Sequence, residues 1–284
     1  MSKFFNETLK AQTARPLVVV PQNEVADAPR QALDSNAKLR ENDLGAFRLE
    51  QCRTLAMSST DLLRELFKGS PSLDTTADSY RALRTRLLRL RTAQGLRSVV
   101  LTSATQGEGK TLTSFNLALS CAQLQDMRVL LIDGDMRTRG LTRLLGSPEG
   151  PGLSDVLSGQ NEPQDAILAT DSPNLYVMSS GSPSSPSAEL LASARWQELI
   201  SWCNETFKMT LVDAPPALSL TDVELIAGAC DGVLMVVRAL QTRRDLLEKC
   251  ARQLDHKKLL GVVYNAAENT SREYDYSYGT SGRP

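Results

Sequence analysis

Residues 98–111 read Ser98-Val-Val-Leu-Thr-Ser-Ala-Thr-Gln-Gly-Glu-Gly-Lys-Thr111, and Leu112-Thr-Ser-Phe-Asn-Leu-Ala-Leu119 follows. The apolar run at the start suits a strand covered on both faces. Gly107 and Gly109 let the backbone turn, and a helix opens at Lys110. Strand, glycine loop and helix in that order bring backbone N–H groups and the positive end of a helix dipole to one spot, which suits a phosphate. In such a loop Lys110 reaches the β- and γ-phosphates, and the Thr111 hydroxyl ligates Mg²⁺. Gln106, Gly107, Glu108, Gly109 and Leu112 complete the expected nucleotide contacts. The general pattern GxxxxGK[ST] is departed from at its first position, which holds Ala104.

Further along, short apolar runs alternate with helix-length segments. The spacing predicts strands over Ser98–Thr102, Arg128–Ile132, Leu175–Met178, Met209–Val212, Gly232–Val237 and Leu259–Tyr264. Helices are predicted over Lys110–Leu124, Thr138–Leu145, Ala188–Glu205, Thr221–Ala229 and Arg243–Leu254. Another runs from Thr76 or Asp78 to about Thr92, with Tyr80, Leu83, Leu87 and Leu90 as its apolar stripe. The fold class is therefore α/β: a mostly parallel sheet flanked by helices on both faces. Ligands of such sheets sit beyond the carboxyl ends of the strands. One strand ends in Leu130-Leu-Ile-Asp133-Gly-Asp135-Met-Arg137, another in Thr210-Leu-Val-Asp213-Ala-Pro-Pro216. Carboxylates there are costly unless they meet a cation. Asp213 matches the second metal-side element of a P-loop NTPase. Asp133 and Asp135 serve a Mg²⁺·phosphate or a proton transfer, or, for Asp135, the turn before the next helix.

The chain has 284 residues, with 32 Lys+Arg against 33 Asp+Glu, so no global basic footprint argues for nucleic acid. A single histidine, His256, disfavours a His-rich metal centre or a His-based triad. Five scattered cysteines (52, 121, 203, 230, 250) without a CxxC pair read as reduced thiols. No secretory signal and no run of the ~18–20 apolar residues that span a bilayer are visible. A soluble, cytoplasmic chain is expected. Residues 1–70 are polar, with Pro16-Leu-Val-Val-Val-Pro21 and helices predicted near Leu44–Met57 and Thr60–Phe67. They read as an accessory or partly disordered region, residues 71–266 as a P-loop domain, and 267–284 as a flexible tyrosine-rich tail.

These motifs resemble the bacterial tyrosine kinases of the capsular and exopolysaccharide chain-length type, within the deviant P-loop (SIMIBI) ATPases that include the MinD/ParA proteins. The resemblance runs from about Thr75 to the C-terminus. Ala104–Thr111 is similar to the family's Walker A loop, Leu130–Arg137 to its Walker A′ element, and Leu211–Pro216 to Walker B. Gly152–Gly159, Ser180–Leu191 and Thr221-Asp222 also resemble family stretches. The resemblance implies ATP- and Mg²⁺-dependent tyrosine phosphorylation. Lys110 would hold phosphates, with Thr111, Asp133 and Asp213 at the metal. Asp133 would receive the tyrosine proton, with Asp135 beside metal and acceptor, and Arg137 would neutralise developing charge. Asn265 sits where related ATPases place an adenine-contacting Asn, or is a simple turn residue.

The tail, Glu273-Tyr274-Asp-Tyr276-Ser-Tyr278-Gly, gathers three of the six tyrosines and resembles the family's autophosphorylation cluster. An edge strand with alternating aromatics is the other reading of it. Asp78-Ser-Tyr-Arg81-Ala-Leu-Arg84 resembles the family's ExxRxxR oligomer-interface motif, with Asp in place of Glu. The family further implies a homo-oligomeric ring, a cognate phosphatase, and a separate membrane-bound polysaccharide chain-length activator that recruits the chain to the inner face of the plasma membrane. Two other functions fit parts of the sequence. A MinD/ParA-like ATPase switch would transfer nothing to protein, but its signature Lys is here Thr105. A catalytically idle assembly platform would not need Lys110, Asp133, Asp135 and Asp213 together.

Overall fold

The computed structural model describes residues 52–56, 71–182, 186–218 and 221–266. The Pro16–Pro21 run, the helix expected over Thr60–Phe67 and the tyrosines of the tail lie outside these. Among the described residues, eight strands form one sheet. They are β1 (Arg53–Leu55), β2 (Ser98–Ser103), β3 (Val129–Asp133), β4 (Ile167–Thr170), β5 (Leu175–Met178), β6 (Met209–Asp213), β7 (Gly232–Arg238) and β8 (Leu259–Asn265). Their spatial order is β1-β4-β5-β3-β6-β2-β7-β8, and every neighbouring pair is parallel except β4 with β5.

The helices are α1 (Pro71–Gln94), α2 (Lys110–Ala122), α3 (Gly140–Leu144), α4 (Leu153–Leu157), α5 (Ser187–Ala192), α6 (Ala194–Thr206), α7 (Asp222–Ala229) and α8 (Arg244–Gln253). They cover both faces, because strand side chains alternate in direction. Val99 and Leu101 join a cluster with Leu83 and Leu87 of α1 and Phe115 of α2. Val100 points the other way, into a cluster with Trp196 and Leu199 of α6, Ile226 of α7 and Cys250 of α8. Fully burying one such side chain is worth about 1.5–3 kcal/mol. Trp196 also meets its polar need, donating from Nε1 to the Ile226 carbonyl at 3.3 Å.

Three sequence expectations need correction. The helix over Leu44–Met57 gives way at Arg53–Leu55 to a strand paired parallel with β4. Leu55 is buried there while Arg53 and Thr54 are exposed, so edge pairing and one apolar contact override helix propensity. The sheet therefore takes in residues before the boundary read near 70. The single helix over Ala188–Glu205 is two, broken at Ser193, whose ψ of 156° is extended. Strand β4 was not expected: four residues after Pro163-Gln-Asp-Ala carry too little periodicity to read.

The order β3-β6-β2 has the functional consequence. It sets the ends of three apolar strands side by side, with Asp133 and Asp213 as direct register partners. The phosphate loop leaves β2 on the same edge.

Candidate active site

Gly107 and Gly109 take φ of +85° and +86°, a left-handed backbone that other residues resist. At Gly109 a Cβ would also meet Asn265 Nδ2, so a larger residue would have to displace that side chain as well as take up a strained backbone. Helix α2 then starts, with Thr113 N–H donating to Gly109 O at 2.9 Å. Glu108, 3% exposed, folds its carboxylate back into the loop. It accepts from Thr105 Oγ1 at 2.7 Å and from the N–H groups of Thr105 and Ala104 at 3.2 and 3.3 Å. Ala104, at the departed glycine position, is fully buried. Asn265 Nδ2 donates to Glu108 O at 2.9 Å, which is a contact with the loop itself. Gln106 is exposed and Leu112 half-buried.

Lys110 faces the carboxylates. Its Nζ lies 3.2 Å from Asp135 Oδ2 and 3.8 Å from Asp213 Oδ2. Thr111 Oγ1 donates to Asp213 Oδ2 at 2.7 Å, and Ser114, one turn later in α2, lies 3.1 Å from Asp213 Oδ1. Asp135 also accepts the Thr138 N–H at 3.1 Å, so it both caps the turn and pairs with Lys110. Asp133 Oδ2 accepts from Thr142 N–H and Oγ1 at 2.8 and 2.6 Å. Asp133 Oδ1 is buried with no protein partner. Thr142 in turn accepts the Ser180 N–H at 3.0 Å, and Arg139 Nε donates to Ser180 Oγ at 3.0 Å.

Three buried carboxylates thus share one buried ammonium. Burial pushes Asp213 up to about 7; Lys110 pulls it back, and Asp133 adds to the rise. Asp133 is also raised, again by burial first, with Thr142 opposing. The excess of buried acid over the single ammonium fits a divalent cation in this cleft. Among the described residues no three His, Cys, Asp or Glu side chains form a ready metal cage. Mg²⁺ binds through one or two carboxylates, keeps several waters and leans on phosphate oxygens, and Asp213 with the Thr111 hydroxyl beside it offers such a donor set.

The family model described as an AAA domain matches residues 97–255. Among curated relatives, the tyrosine-protein kinase CpsD of Streptococcus agalactiae is 35% identical over 191 residues, 65% of this chain and 81% of CpsD. The tyrosine-protein kinase YwqD of Bacillus subtilis is 32% identical over 207 residues, 72% of this chain and 86% of YwqD. The chain belongs to the bacterial tyrosine-protein kinases. The tyrosine-protein kinase homologue EpsB of Ralstonia nicotianae, 35% identical over 210 residues, is far longer, and this kinase spans 27% of its length and matches it with 73% of its own. The kinase domain of Escherichia coli ETK superposes with a TM-score of 0.66 at 26% identity, covering 80% of this chain and 93% of that one. Pyrococcus furiosus MinD gives 0.51 at 26% identity, covering 59% and 71%. The kinase and the MinD ATPases share a nucleotide-binding fold, and the switch reading is not favoured.

Other expected site residues of the kinase stand as follows. Arg137 Nε is 3.3 Å from Ser187 Oγ and 3.5 Å from Asp222 Oδ2, so its ion pair is with Asp222 at the start of α7. Ser187 Oγ donates to that same oxygen at 2.7 Å. Arg81 pairs with Asp78 along the exposed face of α1. Arg84, the other expected interface residue, has Nη1 donating to the Ser120 carbonyl of α2 at 2.7 Å, which fastens two helices of one chain. Cys121, Cys203, Cys230 and Cys250 are free and buried.

Sequence reading missed Ser114, Thr142 and Ser180. Ser114 carried a faint signal, since it lies on the Thr111 face of α2 at i+3. Thr142 and Ser180 carried none, because tertiary folding alone brings them to Asp133.

Proposed function

We propose that the kinase transfers the γ-phosphoryl group of ATP to tyrosine hydroxyls of its own C-terminal segment, Tyr274, Tyr276 and Tyr278, and thereby regulates exopolysaccharide or capsule polymerisation and export. The supporting observation is the convergence of Lys110, Thr111, Asp213, Asp135 and Asp133 on adjacent strand ends. Phosphoryl transfer needs mainly positioning and charge neutralisation, and this set supplies both.

Lys110 exchanges its carboxylate partners for the β- and γ-phosphates. Thr111 and Asp213, with Asp133 beside them, would hold Mg²⁺, which neutralises charge on the phosphate oxygens. Asp133 takes the tyrosine proton at Oδ1, the oxygen that Thr142 leaves free. Asp135 shares Lys110 and keeps the turn to Thr138 closed. Arg137 neutralises developing charge once it leaves Asp222. The backbone of Gln106–Leu112 carries the phosphates, and Asn265 borders the adenine side.

No helix among the described residues is long and apolar enough to cross a membrane. A cytoplasmic kinase recruited to the inner face of the plasma membrane by a separate membrane-bound chain-length protein is the arrangement we favour. Asp78 and Arg81 contribute to a homo-oligomeric ring, and a cognate phosphatase resets the tail. Each phosphate adds about −1.5 to −2 charges, which favours release of the tail from an acid-lined site. Intact-mass measurement with and without Mg-ATP, followed by phosphosite mapping, tests this. Phosphate within Tyr274–Tyr278 is expected; phosphate confined to other residues would overturn the tail assignment.

A further inference from the structure

Arg238 is the last residue of β7 and is exposed. Its Nη1 donates to Gly107 O at 3.2 Å. On the next strand its register partner is Asn265, the last residue of β8, which donates to Glu108 O at 2.9 Å. Two consecutive carbonyls of the phosphate loop are therefore held by side chains from two adjacent strand ends. The strand ends are themselves fixed. Ala239 N–H donates to Asn265 O at 2.9 Å, and Arg238 N–H donates to Thr242 Oγ1 at 3.0 Å.

In a trans peptide the C=O and the N–H of the same plane point opposite ways. Holding Gly107 O outward aims the Glu108 N–H inward, and holding Glu108 O outward aims the Gly109 N–H inward. Left alone, a loop with two left-handed glycines has many peptide orientations open to it. We propose that Arg238 is a positioning residue for nucleotide binding: together with Asn265 it clamps the Gly107 and Glu108 carbonyls, so that the loop N–H groups face the phosphates before the nucleotide arrives. Ordering the loop in advance lowers the entropy lost on binding. The inference rests on the reading of this loop as the nucleotide cradle, which ADP binding by the unsubstituted chain checks separately.

The competing role for Arg238 is direct charge contact with a phosphate, and the two differ in salt dependence. The experiment compares Arg238→Met with the unsubstituted full chain. Calorimetry reads Mg-ADP affinity at low and high salt, and hydrogen exchange reads the peptide spanning residues 104–112 in the ligand-free protein. Arg238→Met should weaken ADP on the order of tenfold. Its salt dependence should match that of the unsubstituted chain, and the ligand-free loop amides should exchange faster. Asn265→Ala should do the same, and the two losses should be non-additive because they act on one loop. Unchanged loop exchange overturns the proposal whether or not ADP binds. So does unchanged affinity, or weaker binding with a shallower salt dependence. If Arg238→Met lowers the thermal midpoint, Arg238→Lys, which keeps a donor, carries the same readouts and should fall between the two.

Discussion

The two sides of the site are held by different chemistry. On the phosphate-loop side, polar side chains grip backbone: Arg238 and Asn265 hold carbonyls, and the Glu108 carboxylate gathers the N–H groups of Ala104 and Thr105. On the carboxylate side, hydroxyls grip acids: Thr111 and Ser114 hold Asp213, and Thr142 holds Asp133. The first side presents fixed, uncharged donors and needs little from solvent conditions. The second stores excess acid around Lys110, so its state follows pH and whatever cation is present. Losing the link between the sides should therefore hurt most, and changes on the acid side should depend on pH.

Lys110 is that link, since it starts the helix of the phosphate loop and pairs with Asp135 and Asp213. Lys110→Met should cut phosphotyrosine formation by on the order of 10³-fold or more, read by anti-phosphotyrosine signal, with far-UV circular dichroism retained. Labelling at the original rate would remove the loop from the mechanism.

The acid side has a signed pH response. Asp213 is raised from 3.8 to about 7, so the folded chain prefers it protonated. Its contribution to stability is present at low pH and is lost as pH rises from about 4 to about 7. Asp213→Asn should abolish kinase activity and yet stabilise the ligand-free chain by about 1–3 kcal/mol at pH 8. The gain should vanish near pH 4. Denaturant midpoints across that range read it, and a gap independent of pH would contradict the assigned cause.

Thr142 separates support from acidity. Thr142→Val strips a hydroxyl from Asp133 and Ser180 and should cost about 1–3 kcal/mol. Thr142→Ser should restore most of the loss in both stability and phosphotyrosine rate. Equal behaviour of the two variants would mean that the methyl, not the hydroxyl, matters.

The smallest effect is expected at α1. Arg84→Met breaks its bond to Ser120 O and should cost about 1 kcal/mol without changing oligomer mass in sedimentation. A lost oligomer at full stability would return Arg84 to the interface.

Legibility in the sequence followed the same division. The phosphate loop was readable because its strand, glycines, Lys110 and Thr111 are contiguous and each has a local physical reason. Asp133 and Asp213 were readable as acids closing apolar strands. Arg238 also closes an apolar strand, directly after Gly232–Val237, but a lone Arg there carries no sequence signal for its contact with the phosphate loop. The partners of the acids were not readable. Thr142 is nine residues from Asp133 and Ser180 is 47, and no periodicity links them. Strand β1 was hidden because three residues hold no pattern, and Arg53–Leu55 takes its form from β4.

The central claim is that both sides act together to move a phosphoryl group onto tyrosine. It is tested most directly by measuring ADP and phosphotyrosine in one reaction, with Mg-ATP and a membrane chain-length activator present. Phosphotyrosine should rise with ADP, and both should disappear in Lys110→Met. Steady ADP production with no phosphotyrosine would contradict it.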